Sequence, residues 1–180
     1  MPDNMASISD SDRSEDLYER DYYAWSLRQA RALQERRVDA LDWENLADEV
    51  GDFAGSIARS LKSQLARLLT HLLKWQFEAE RRHRSASSAK SWRISIGNAR
   101  DEISDLLEEN PGLRSRIPEL FAKAYLRARS RAQRETGLPA SILPGSSPWT
   151  FVQVMDNNFW PDSATHPRGR ARNHRKKPRR

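Results

Sequence analysis

Apolar residues recur along most of this chain at intervals of three and four, the period of an α-helix buried on one side. The longest run is Trp43, Leu46, Val50, Phe53, Ile57, Leu61, Leu65, Leu68, Leu72 and Trp75. Its nine steps cover 32 residues, about 3.6 per step, so the stripe keeps to one face instead of winding around the helix. Asp42 stands ahead of it as a good N-cap, and Glu44 and Glu49 lie toward the positive end of the helix dipole. The spacing predicts one amphipathic helix of about nine turns, from Asp42 to roughly Arg82, with Gly51 and Gly55 as the places for a bend or close packing. A helix of that length must lie against other helices, because propensity alone does not hold it.

The rest of the chain supplies those neighbours. A first helix is predicted from Leu17–Asp21 to about Arg36, with Tyr23, Leu27, Ala30 and Leu33 or Gln34 facing inward and Trp25 off that stripe. After the basic cluster Arg81, Arg82 and Arg84, the stretch SASSAKS reads as a short flexible connection. A helix from about Ser91 to Glu109 follows, turning Trp92, Ile96, Ala99, Ile103, Leu106 and Leu107 inward, and Asn110-Pro111-Gly112 ends it. The next spans about Leu113 to Glu135 with a restart at Pro118, since proline suits a first turn and disrupts an interior. Its inward face is Ile117, Leu120, Phe121, Ala124, Tyr125 and Ala128, and Gly137-Leu138-Pro139 is its stop. Ser147-Pro148 offers an N-cap and first-turn pair for a short helix over Trp149 to Met155, and Phe159-Trp160-Pro161 returns rings to the core. The expected fold is all-α: an antiparallel bundle of about four principal helices plus a short C-terminal helix, one domain over residues 17–161.

Charge changes the picture at the two ends. The chain carries +6 overall, from 31 Lys and Arg against 25 Asp and Glu. Eight of the cations, Arg168, Arg170, Arg172, Arg175, Lys176, Lys177, Arg179 and Arg180, fall in residues 162–180 beside Asp162 alone. That segment is +7 and the first 161 residues are −1, so the basicity belongs to a tail and not to the helices. The composition of residues 162–180, like that of the acidic stretch 1–16, predicts disorder. An arginine-rich tail of this kind either binds nucleic acid by phosphate attraction or is a solvated tail of no specific role. The strongly apolar stretch Leu65–Trp75 is broken by Arg67, His71 and Lys74 and falls short of the roughly 20 residues that span a bilayer. The polar start MPDNMASISDSDRSED has no apolar stretch of the secretory kind, so a cytoplasmic location is expected. With no cysteine there is no disulfide, thiolate metal site or cysteine nucleophile.

Several stretches, in this order, resemble the DUF29 family of bacterial helical proteins. They are Tyr22-Tyr23-Ala24-Trp25, Leu41-Asp42-Trp43-Glu44-Asn45-Leu46-Ala47-Asp48-Glu49-Val50, His71-Leu72-Leu73-Lys74-Trp75, Ser91-Trp92, Glu135-Thr136-Gly137-Leu138-Pro139 and Phe159-Trp160-Pro161. The resemblance implies an all-helical fold and a bacterial source, and no activity, the family being one of unknown function. Residues 1–16 and those after Pro161 fall outside it.

Candidate chemistry is sparse. His71 lies about 80° from the centre of the long stripe, beside Gln64 and Glu78, where a histidine serves as a base, a ligand or a structural hydrogen-bonding group. Asp42, Glu44, Asp48, Glu49 and Asp52 cluster on the same helix, but the Glu-x-x-His motifs of dimetal bundles are missing. Capping, the dipole and ion pairs with Arg93 or Arg100 account for these carboxylates. No metal or cofactor is expected. Three readings follow, in order of preference. The first is a non-enzymatic protein-interaction module with a protein partner, Trp25 being a candidate anchor. The second is a nucleic-acid-associated protein tethered by its tail. The third is an enzyme using Glu44, Glu49, His71 and Arg100 as a polar cluster.

Overall fold

The structure is a computed structural model and describes residues 17–78 and 85–161. The acidic stretch 1–16, residues 79–84, into which the sequence pattern extends the longest helix, and the basic stretch 162–180 lie outside the described residues, and the helix as described ends at Phe77. The fold is an all-α helical bundle with four long helices, and no strand occurs among the described residues. The helices are α1 (Tyr22–Gln34), α2 (Trp43–Phe77), α3 (Ala86–Glu109), α4 (Ile117–Thr136) and the short α5 (Phe151–Met155). Residues 17–20 add a helical turn before α1, and 3-10 turns fill Val38–Ala40 and Pro111–Arg116.

Local chemistry sets most of the ends. Asp21 caps α1 by accepting from the Ala24 N–H at 3.0 Å, and Asp42 accepts from the Asn45 N–H at 3.3 Å at the start of α2. Pro118 sits in the first turn of α4, and Gly137 closes that helix in the left-handed region at φ 74°, where a Cβ would be strained. Two ends differ from expectation. Helix α3 begins at Ala86 and takes in most of SASSAKS, because Ser85 caps it with its hydroxyl on the Ser88 N–H. The short helix is capped by Thr150 and not by Ser147, because Thr150 and Gln153 form a reciprocal capping box. The Ser147 hydroxyl is instead engaged with the backbone of Trp149.

The chain divides into two compact units, residues 1–58 and 59–180, and α2 contributes to both. In the second unit Leu61, Leu65, Leu68 and Leu72 are wholly buried, together with Ile96 and Ile103 of α3 and Ala124, Tyr125 and Ala128 of α4. Lys74 near the end of α2 lies 5.1 Å from the ring centroid of Trp92 near the start of α3. The same Lys74 pairs with Glu135 at the end of α4 at 2.9 Å.

In the first unit the predicted inward faces are overturned. Tyr23 is 74% exposed, and Leu27 and Leu33 are more than half exposed, while Trp25, Gln29 and Ala32 form the buried side of α1. On α2 the stripe is buried from Leu61 onward, yet Trp43, Val50 and Phe53 are 62–69% exposed. The physical reason is polar. Asp42 is buried, and it binds the indole of Trp25 and the amide of Asn45 through its carboxylate and the side chain of Gln29 through its N–H. Satisfying those groups turns the side of α1 that carries Trp25 and Gln29 toward α2, and the apolar stripe of α1 faces outward.

Candidate functional site: an apolar groove beside α4

An apolar concave surface lies in the second unit, between α4 and the loop that leads to α5. Ile117, Phe121 and Tyr125 recur at helical spacing along one wall, with Pro118, Ala122 and Leu126 one position further round the helix. Gly145, Ser146, Ser147, Trp149, Thr150 and Phe151 make the opposite wall. The volume is about 470 Å3, within the range of roughly 300–1,000 Å3 usual for ligand sites. Phe121 and Phe151 meet edge to face at 6.2 Å across it. Ala122 and Ser146 carry short side chains and Gly145 none, and between larger neighbours these leave the space open.

The loop wall is held down by donors from α4. The Tyr125 hydroxyl donates to the Pro144 carbonyl at 2.7 Å, and Arg129 donates to the carbonyls of Ala140 and Leu143. Burial raises the Tyr125 pKa, so the phenol stays a donor at neutral pH. The end of α5 and the segment after it are fixed by Arg100, 3% exposed, whose guanidinium donates to the carbonyls of Val154, Asn157 and Phe159. Burial lowers its pKa and Asp156 opposes that shift, but an arginine keeps its proton. Arg93 and Arg100 also lie 5.2 and 5.5 Å from the ring centroid of Trp160, whose ring meets Trp75 at 4.7 Å. Sequence reasoning assigned these two arginines to ion pairs with the α2 carboxylates. The structure gives Arg100 to three backbone carbonyls and both of them to the Trp160 ring.

The family model for the domain of unknown function DUF29 matches residues 17–160. The chain belongs to the DUF29 family. No curated protein and no solved structure matches it.

Within this DUF29 domain the four residues of the enzyme reading fall in different units, Glu44 and Glu49 in the first and His71 and Arg100 in the second. Glu44 is exposed. Glu49 accepts from the hydroxyls of Tyr18 and Tyr22 at 2.8 and 2.7 Å, which lowers its pKa and pushes that of Tyr18 up to about 12. Arg100 is the clasp just described. His71 is half-buried, its Nδ1 is enclosed without a hydrogen-bond partner, and its charged neighbours are Lys74, Glu135, Arg67 and Arg131. Among the described residues no three His, Asp or Glu side chains are placed to hold a metal ion. No helix among them is long and apolar enough to cross a membrane.

Trp25 requires a correction. It is 2% exposed, stacked on Tyr22 and edge-on to Tyr18, and its indole N–H donates to Asp42 at 2.9 Å, so it is no surface anchor. Its departure from the apolar stripe marked the buried side of α1, not a partner face. The tail cations from Arg168 to Arg180 lie outside the described residues. The groove itself was not anticipated: Leu126 was off every predicted stripe, and the loop wall has no periodicity to read.

His71 gives the domain a defined acid response. Burial, and then the charge of Lys74, lower its pKa to about 4 from the ordinary 6.5. The unfolded chain therefore takes up a proton that the folded chain refuses, and stability present above pH 6.5 is lost as pH falls toward 4. With the side chain only half-buried, solvent screening limits the loss to about 1–2 kcal/mol. His71→Gln should flatten urea-denaturation stability between pH 6.5 and 4, and an unchanged slope would show that His71 is not its source. Glu135 acts in a lower window. Burial would raise its pKa, but hydrogen bonds from Arg131 and Lys74 outweigh this and bring it to about 2, so its contribution is lost between about 4.5 and 2.

Proposed function

We propose that this DUF29 domain is a non-enzymatic interaction module whose α4 groove receives a short apolar segment of a protein partner. The observation that carries the reading is the lining. Tyr125 is the one ionisable side chain in it, and its hydroxyl is committed to the Pro144 carbonyl. Such a lining has no carboxylate, histidine or lysine to activate the hydroxyls of Ser146, Ser147 and Thr150, and it offers four aromatic rings to an apolar side chain.

The helix that makes one wall, with the turn before it, is basic overall, which favours a segment with acidic flanks. From Pro111 to Thr136 the chain holds seven cations, Arg114, Arg116, Lys123, Arg127, Arg129, Arg131 and Arg134, against Glu119 and Glu135, a net of +5. A segment with one or two bulky apolar side chains bordered by Asp or Glu complements both features. Leu126, 58% exposed, belongs to the lining, so the groove opens to solvent beside an apolar side chain.

Selection of displayed 12-residue peptides on the full chain tests this. The expected outcome is a set of peptides with a bulky apolar pair flanked by acids, bound at least tenfold more weakly by Leu126→Asp, an exposed position whose replacement leaves the fold intact. Peptides that bind the variant equally, or that carry basic flanks, would remove the groove as the docking site.

A further inference from the structure

Among the described residues of the first unit two apolar stripes are exposed. On α1, Tyr23, Leu27 and Leu33 are turned away from the buried side that carries Trp25 and Gln29. On α2, Trp43, Val50 and Phe53 are exposed, spaced seven and three residues apart with half-buried Leu46 between the first two, the a/d spacing of a helix that packs on another. At roughly 100 Å2 of exposed apolar surface for each of these six side chains, one copy presents about 600 Å2. With a polar rim this approaches the ~800 Å2 that each partner contributes to a standard stable interface.

The two stripes have opposite electrostatic borders. Residues 22–37 carry Arg28, Arg31, Arg36 and Arg37 against Glu35, a net of +3. An open depression on α1 is lined by Leu27 together with Arg28, Arg31, Glu35 and Arg37. Residues 42–58 carry five carboxylates and no cation; Asp42 is buried and Glu49 is held by Tyr18 and Tyr22, while Glu44 and Asp48 are exposed on the same helix as the stripe. Two copies joined α2 to α2 would set acid against acid. Joined α1 to α2, they set arginine against acid and apolar side chain against apolar side chain. A two-fold axis makes that contact twice and closes the assembly.

We propose that the first unit is a self-association surface, in which the outer face of α1 in one copy packs on the exposed α2 stripe of a second copy, and the reverse. The inference is independent of the α4 groove. Sedimentation equilibrium of the full chain at micromolar concentration should give twice the chain mass. Leu27→Asp and Val50→Asp should each weaken the dimer at least tenfold with the far-UV circular dichroism unchanged.

Charge reversal provides the register test. Glu44→Arg with Asp48→Arg, and Arg31→Glu with Arg37→Glu, should each weaken self-association at least tenfold, and mixing the two variants should restore a dimer containing one of each. A wild-type monomer overturns the proposal, as does a dimer indifferent to Val50→Asp. A ladder of larger species overturns the closed two-fold arrangement, and a mixture that fails to recover overturns the pairing of α1 with α2.

Discussion

Arg100→Ala should lower the unfolding free energy of the chain by about 3 kcal/mol or more. A hydrogen bond from a charged donor contributes about 1.5–3 kcal/mol, and this guanidinium makes two short ones, to Val154 and Phe159, and a longer one to Asn157. Removing it leaves carbonyls without donors and takes a cation from the face of Trp160. Arg100→Lys retains the charge, but a single ammonium on a flexible stem cannot fan out to three carbonyls, so it should recover less than half of the loss. Urea denaturation followed by tryptophan fluorescence measures both variants. An Arg100→Ala protein within 1 kcal/mol of wild type would mean that the segment after α5 is held by its rings alone. The clasp also bears on the groove, since Phe151 and Thr150 of its loop wall belong to the helix and cap that Arg100 secures. Arg100→Ala should therefore weaken peptide binding at the groove without touching the peptide.

What the sequence made legible follows from which force dominates each element. In α2 from Leu61 to Leu72, burial is decided by apolar area alone, and a 3.6-residue stripe reports it directly. The same stripe from Trp43 to Phe53 is as regular, yet it faces outward, because periodicity identifies an apolar face and does not say whether the same chain covers it. In α1 the buried side is chosen by a carboxylate and an amide. Gln29 and Asp42 are polar letters in a hydrophobicity pattern, and their mutual satisfaction is visible only once both are placed. Arg100, expected as an ion-pair partner for acids, is illegible for the same reason: its role appears only where three carbonyls converge on it. The groove was the least legible feature. One wall is a helical face that periodicity did predict, through Ile117, Phe121 and Tyr125, and the other is a loop whose path is set by donors from Tyr125 and Arg129.

Trp25→Ala is the other substitution with a large expected effect, about 3–5 kcal/mol, the usual cost of emptying a buried indole site. The ring is in contact with Tyr18 and Tyr22, whose hydroxyls in turn hold Glu49 of α2, so its loss loosens the seating of α1 at both ring and carboxylate. Trp25→Phe separates the two contributions. It preserves most of the apolar contact and deletes the N–H donor to the buried Asp42 carboxylate, an interaction with a charged acceptor worth about 1.5–3 kcal/mol. In a double-mutant cycle with Asp42→Asn, the pair should couple by at least 1 kcal/mol, because the indole has less to gain from a neutral amide oxygen than from a carboxylate. Additive effects would show that Trp25 acts by packing alone. The same variants reach the proposed self-association: the outer face of α1 is presented only while Trp25 and Gln29 hold its inner face on α2. Trp25→Ala should accordingly weaken the dimer along with the fold, whereas Leu27→Asp, on the exposed side of the same helix, should weaken the dimer and leave the unfolding free energy within about 0.5 kcal/mol of wild type.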